Sequence, residues 1–194
     1  MKKFLAILVS AMVIGSIACC AEEIVLTPKE EIIKQILEEG YSYTPHGLVS
    51  AIKDGNSIYV EKFLMTGMNP NTTYIKYPAL FWAIDYQQNK IVEQLIKAGV
   101  DPNTQSGNGT TPLYEAIKFK NTNMVDSLIK LGADVNLKSN NYSPLAYAVK
   151  TKNASAVKTL INAGAIVDEK ALLLGLKSKD TYIKDLITST YKAQ

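Results

Sequence analysis

Few side chains in this 194-residue chain are equipped for chemistry, and their spacing argues against most of it. The single histidine, His46, sits in the turn-like run Thr44-Pro45-His46-Gly47 with no partner that would make it a general base. Both cysteines, Cys19 and Cys20, fall near the start, so the rest of the chain has no thiolate for a substrate or metal and no disulfide. Gly107-Asn108-Gly109-Thr110 is glycine-rich but reads as a turn, not as a loop that cradles phosphate. What remains is a carboxylate pair, Asp85 and Glu115, the minimum a glycoside hydrolase requires. Lys53, Lys118 and Lys150 recur at related positions and would pair with these acids. A shallow, solvated groove also leaves a carboxylate near its ordinary pKa. The chain therefore reads as non-catalytic, with no cofactor and no metal.

Composition narrows the partners. All 21 basic side chains are lysine, set against 18 acids, for a net charge of +3. Without arginine the bidentate contacts typical of nucleic-acid readers are missing, so nucleic acid is not an expected partner. A hydrophobic content of 47% is enough for one ordered body with a sizeable core.

The first 21 residues differ from the rest. Lys2 and Lys3 make a basic start, Phe4 to Ile17 an apolar run, and Ser16 to Ala21 are mostly small, the pattern of an export leader. Ser16-Ile17-Ala18 before Cys19 suits small-residue cleavage and also resembles a lipobox, in which Cys19 would be lipidated. Cys19-Cys20-Ala21 could instead precede ordinary cleavage. A third option is an uncleaved anchor, since residues 4–21 are marginally long enough at about 1.5 Å per residue to span roughly 30 Å of hydrocarbon. All three point outside the cytoplasm, to the periplasm or cell envelope, with the body lipid-anchored or secreted. The membrane would be touched only through the leader or a lipid, and loss of Lys2 and Lys3 would lower the net charge to about +1.

The elements that must carry any site repeat. Gly67, Gly99, Gly132 and Gly164 close VEKFLMTGMNPN, VEQLIKAGVDPN, VDSLIKLGADVN and VKTLINAGAIVD at intervals of 32, 33 and 32 residues. Each glycine fits the left-handed position after a helix, and the helix before it has an apolar stripe at i, i+3, i+4: Val60/Phe63/Leu64, Val92/Leu95/Ile96, Val125/Leu128/Ile129 and Val157/Leu160/Ile161. Asn56, Asn121 and Asn153 stand where N-caps belong, and Gln88 takes that place in the remaining unit. A second landmark comes earlier in each unit, a leucine three residues before a small residue: Leu48/Ala51, Leu80/Ala83, Leu113/Ala116 and Leu145/Ala148. Such spacing makes a short helix whose small face presses against the neighbouring unit.

Thr111-Pro112-Leu113-Tyr114-Glu115-Ala116, closed by Gly132-Ala133-Asp134-Val135-Asn136, resembles an ankyrin repeat. The resemblance implies an all-α repeat solenoid, each unit a helix, a tight turn, a second helix and a projecting hairpin. It divides the chain into a leader (1–21), a linker (22–27) and a repeat domain (28–194). That domain holds an N-terminal half-repeat at 28–43, repeats at roughly 44–75, 76–108, 109–140 and 141–168, and a C-terminal cap at 169–194. The early units are irregular: Pro78 falls five residues before Ala83 where Pro112 falls four before Ala116, Tyr77 cannot cap as Thr111 does, and Thr44-Pro45 stands further still from Ala51.

In ankyrin proteins partners usually lie on the concave side, formed by hairpin tips and first helices. By that resemblance Lys53-Asp54, Asp85-Tyr86, Lys118-Phe119 and Lys150-Thr151 form a ladder, with Trp82, Glu115 and Tyr147 one turn earlier. Aromatic rings at the centre with charges outside is the composition of a binding hot spot. Trp82 and Tyr147 equally suit a gap-filling role between units. Hairpin tips add Thr73, Tyr74, Lys76 and Tyr77, then Gln105, Ser106, Asn108 and Thr110, then Lys138, Ser139, Asn140 and Tyr142, which are also ordinary turn residues. The expected function is a monomeric, non-catalytic, exported scaffold, bacterial by its leader, that binds another protein. A narrower alternative is an envelope immunity or inhibitor protein against a toxin or enzyme, and a more distant one is an envelope enzyme or stress-protective factor.

Overall fold

The computed structural model describes residues 26–194, so the leader, with Cys19 and its cleavage and anchoring options, lies outside the described residues. The element order is α1 (Pro28–Glu38), α2 (Pro45–Lys53), α3 (Ser57–Met65), β1 (Thr73–Tyr74), β2 (Tyr77–Pro78), α4 (Ala79–Asp85), α5 (Asn89–Lys97), α6 (Pro112–Lys118), α7 (Thr122–Lys130), α8 (Pro144–Lys150), α9 (Ala154–Asn162), α10 (Glu169–Leu176) and α11 (Thr181–Ala193). None of these helices is long and apolar enough to cross a membrane.

Packing sorts the helices into two rows. First helices α2, α4, α6, α8 and α10 stack in sequence, and behind them stack α1, α3, α5, α7, α9 and α11. The domain is thus an all-α stack of helix pairs. It is held by what the leucine and alanine landmarks predict: Leu48, Leu80, Leu113 and Leu145 are buried, and Ala51, Ala83, Ala116 and Ala148 are fully so. In the second row Val60/Phe63, Val92/Leu95, Val125/Leu128 and Val157/Leu160 are buried to the same degree. Leu64, Ile96, Ile129 and Ile161, the third members of each expected stripe, pack only at its edge. Each fully buried aliphatic chain contributes about 1.5–3 kcal/mol, which is what a disulfide-free body must rely on.

Helix starts follow the caps. Asn56, Asn121 and Asn153 accept from the N–H groups of Tyr59, Met124 and Ala156, and Thr111 and Ser143 from those of Tyr114 and Ala146. Gln88 departs from expectation, making no cap bond with its side chain. Its extra methylene carries the amide past the helix end and over Gly55, where a Cβ would stand 2.7 Å from Nε2. The irregular starts are now explained. Thr44 caps α2, which runs 9 residues where α4, α6 and α8 run 7. Pro78 is itself the cap residue of α4, without a side-chain bond, and the chain enters that helix from a hairpin that pairs Thr73 with Pro78 and Tyr74 with Tyr77.

Gly67, Gly99, Gly132 and Gly164 take φ of +82°, +102°, +96° and +85°, which is why the period is written in glycine. At the ends, α1 packs alone on α3, while α10 and α11 form a helix pair of their own. Leu172 and Gly175 continue the leucine-to-small spacing there, and Gly175 lies so close under α11 that a Cβ would stand 2.8 Å from Ile187 Cγ2. Neighbouring units are also tied by polar bonds: Asn103 accepts from the Asp134 N–H at 2.7 Å, Asn136 from the Ile166 N–H at 2.8 Å, and Asn121 donates to Asn89 at 3.1 Å.

Candidate protein-binding face

The first helices and the hairpins set two aromatic clusters on one face, on either side of α6. In the first, the Trp82 ring of α4 meets Tyr77 edge-on at 5.3 Å between centroids and Tyr74 and Tyr86 at 6.4 Å each. Lys53, one unit back, places its ammonium 4.1 Å from the Trp82 centroid, a cation–π contact. The indole Nε1–H is buried with no acceptor among the described residues, so the ring is held by its faces alone. His46 leans on Tyr74 at 5.0 Å and is itself exposed. In the second cluster Tyr147 of α8 stacks on Tyr114 of α6 at 3.9 Å, with Tyr142 edge-on at 6.1 Å. Lys150 donates to the Tyr142 hydroxyl at 3.1 Å.

Glu115, Lys118 and Phe119 lie between the clusters on α6. Glu115 is only 5% exposed and is paired by Lys118 at 2.8 Å. The ammonium also lies 5.4 Å from the Phe119 centroid. Asp85 accepts from the Tyr77 hydroxyl at 2.9 Å. Two residues of the expected ladder are turned to other work. Asp54 accepts from Tyr41 in the entry segment, and the Thr151 hydroxyl donates back to the carbonyls of Tyr147 and Ala148.

These contacts set the charge states. Burial raises the Asp85 carboxyl above its ordinary 3.8, and the Glu115 charge raises it further, against the opposing Tyr77 bond and Lys118. A shallow groove with ordinary carboxylates is the expectation from sequence. It is corrected here because Asp85 is half-buried beside a second acid. Burial, then the bond to Asp85, pushes the Tyr77 phenol well above its usual range, and burial followed by the Tyr114 bond does the same for Tyr147. Tyr142 goes the other way, lowered chiefly by the Lys150 bond. For Asp85 the folded state binds more protons than the unfolded state as pH rises from 3.8, so stability falls through that window. An asparagine in its place keeps an acceptor for Tyr77 and carries no charge. Asp85→Asn is therefore expected to remove this fall and to be more stable than the native chain above the window, with equal stability below it, as read from urea midpoints across the acid-to-neutral range.

A second correction concerns the lysines. Spacing pairs all of Lys53, Lys118 and Lys150 with the acids of the strip, but only Lys118 makes such a pair, because the other two are laid on aromatic rings. Among the tip residues, Ser106, Thr110 and Ser139 are buried and serve the hairpins themselves: Ser106 and Thr110 share a hydrogen bond at 2.7 Å, and Ser139 donates to the Gly109 carbonyl. One residue of this surface escapes a reading by sequence. Ile75, at the first hairpin tip, is 75% exposed with φ of +54°, beside Lys76 at +58°. The same turn in the third hairpin uses Asn140-Asn141, residues suited to left-handed backbone, whereas a β-branched residue is an outlier there. The alignment of Ile75-Lys76 before Tyr77 with Asn140-Asn141 before Tyr142 is the available signal.

Stacked helix pairs with projecting turns and an aromatic first-helix face define a repeat scaffold. Residues 80–171 match the family model for ankyrin repeats, in three copies, and the all-α stack of helix pairs fits that match. The matched span starts within α4 and leaves out the unit built on α2 and α3 with its atypical caps. Ankyrin repeats serve protein–protein interaction and are generally non-catalytic. No curated protein matches the chain.

Proposed function

We propose that the chain is an exported ankyrin-repeat module that binds another protein through its first helices and hairpin tips. The observation that carries this is the pair of aromatic clusters: Trp82, Tyr86, Tyr142 and their neighbours come from different units yet share one face, with Tyr86 45% exposed at its edge. Large rings fixed by mutual packing bind with little loss of side-chain freedom, and lysines around them complete hot-spot composition. The exposed Ile75 tip extends the same surface with an apolar knob. Export rests on the basic start and apolar run of residues 1–21 and places the partner in the cell envelope or beyond.

The test is affinity for a partner purified by cross-linking from intact cells. Tyr86→Ala with Phe119→Ala is expected to weaken binding by about 1–2 kcal/mol or more, with circular dichroism unchanged. Affinity equal to that of the native chain would remove these residues from the site.

A further inference from the structure

Acids and lysines are treated differently along the first-helix face. Asp54 accepts the Tyr41 hydroxyl, Asp85 the Tyr77 hydroxyl, Glu115 the Lys118 ammonium and Asp168 the Ala171 N–H. Lys53, Lys150 and Lys170 have no carboxylate within ion-pair distance among the described residues. Each is laid on a ring instead: Lys53 at 4.1 Å from Trp82 and 5.9 Å from Tyr86, Lys150 and Lys170 at 4.3 and 4.0 Å from Tyr142. Lys170 is further fixed by donating to the Asn141 carbonyl at 2.8 Å. The remaining acid beside these lysines, Glu169, is exposed at the first turn of α10. A cation resting on a ring keeps its charge and has already given up part of its rotamer freedom, so a later ion pair costs less ordering.

We infer that this face docks an acidic protein segment that also carries aromatic or other apolar side chains. Its carboxylates meet Lys53 at one end and Lys150 with Lys170 at the other, while its apolar groups lie against Trp82, Tyr86 and Tyr142. From α2 to α8 there are three steps between packed helices, which at roughly 8–10 Å each amount to about 24–30 Å, the reach of about eight extended residues. Nucleic acid fits less well, because a chain with no arginine lacks the planar donor that reads phosphate two atoms at a time. The inference rests on the protein-binding reading above and adds the partner's charge.

Calorimetric titration of the full chain with a glutamate–tyrosine copolymer, polyglutamate, a lysine–tyrosine copolymer and duplex DNA tests it. The glutamate–tyrosine copolymer is expected to bind most tightly, to weaken as salt is raised, and to lose about tenfold or more in affinity with the combined Lys53→Gln, Lys150→Gln, Lys170→Gln variant. Lys130→Gln, Lys158→Gln and Lys184→Gln, on the other helix row, are expected to change it by less than about twofold. No binding of that copolymer, unchanged affinity in the first triple variant, or tighter binding of DNA would each overturn the inference. A photo-reactive side chain at position 86 separates the two readings: if it still captures a protein in intact cells when the copolymer fails, the scaffold stands and the acidic preference falls. If both fail, both fall.

Discussion

Phe63→Ala is expected to cost about 3–5 kcal/mol and to concentrate that loss at one end of the stack. Phe63 is fully buried in α3, stacked on Tyr43 at 6.0 Å and edge-on to Tyr41 at 6.3 Å. Removing the ring leaves a cavity bounded by two phenols from the entry segment, at the end of the stack where α1 packs on α3 without a first-row partner of its own. In a stack where each unit touches only its neighbours, the loss is local. Hydrogen exchange should therefore accelerate in α1, α2 and α3, while α7 to α9 keep native protection. Equal loss of protection from end to end would show that the stack unfolds as a single unit and that nearest-neighbour packing does not describe it.

Ala116→Leu acts at the centre. Ala116 is fully buried on α6, which packs between α4 and α8. Three added carbons have no space, so either the helices separate or side chains leave their rotamers, at a cost of about 1–3 kcal/mol. The functional consequence is larger than the stability loss suggests, because α6 lies between the Trp82 cluster and the Tyr142 cluster. Urea unfolding measures the first effect. Fluorescence of Trp82, the sole tryptophan, reports whether its half of the face keeps its packing. A variant with native stability would mean the small residues are not what sets the spacing of the units.

Much of the fold is legible because its period is written in residue types with one physical use each. Glycine marks the left-handed turn, alanine the close approach of first helices, asparagine and threonine the caps. Gln88 shows the limit of that reasoning: its position is that of a cap, but one methylene decides whether a side chain caps its own helix or reaches over Gly55. The site is legible as a set of positions more than as a set of contacts. Asp85, Tyr86 and Trp82 can be placed on one face from their phase alone. Which lysine meets which acid depends on side chains reaching between units and across hairpins. Neither the Lys53–Trp82 contact nor the half-burial of Asp85 is written in spacing. Ile75 stands out in sequence only through its alignment with Asn140, because exposure of an apolar residue is ordinary by itself and the left-handed φ is seen directly only in three dimensions.

The most direct measurement is photo-cross-linking in intact cells, comparing a reactive side chain at position 86 or 119 on the first-helix face with one at position 97 or 130 on the second row. Capture of the same protein from 86 and 119, and of none from 97 and 130, is the expected result. Capture from the second row alone would contradict the placement of the binding face on the first helices and hairpins.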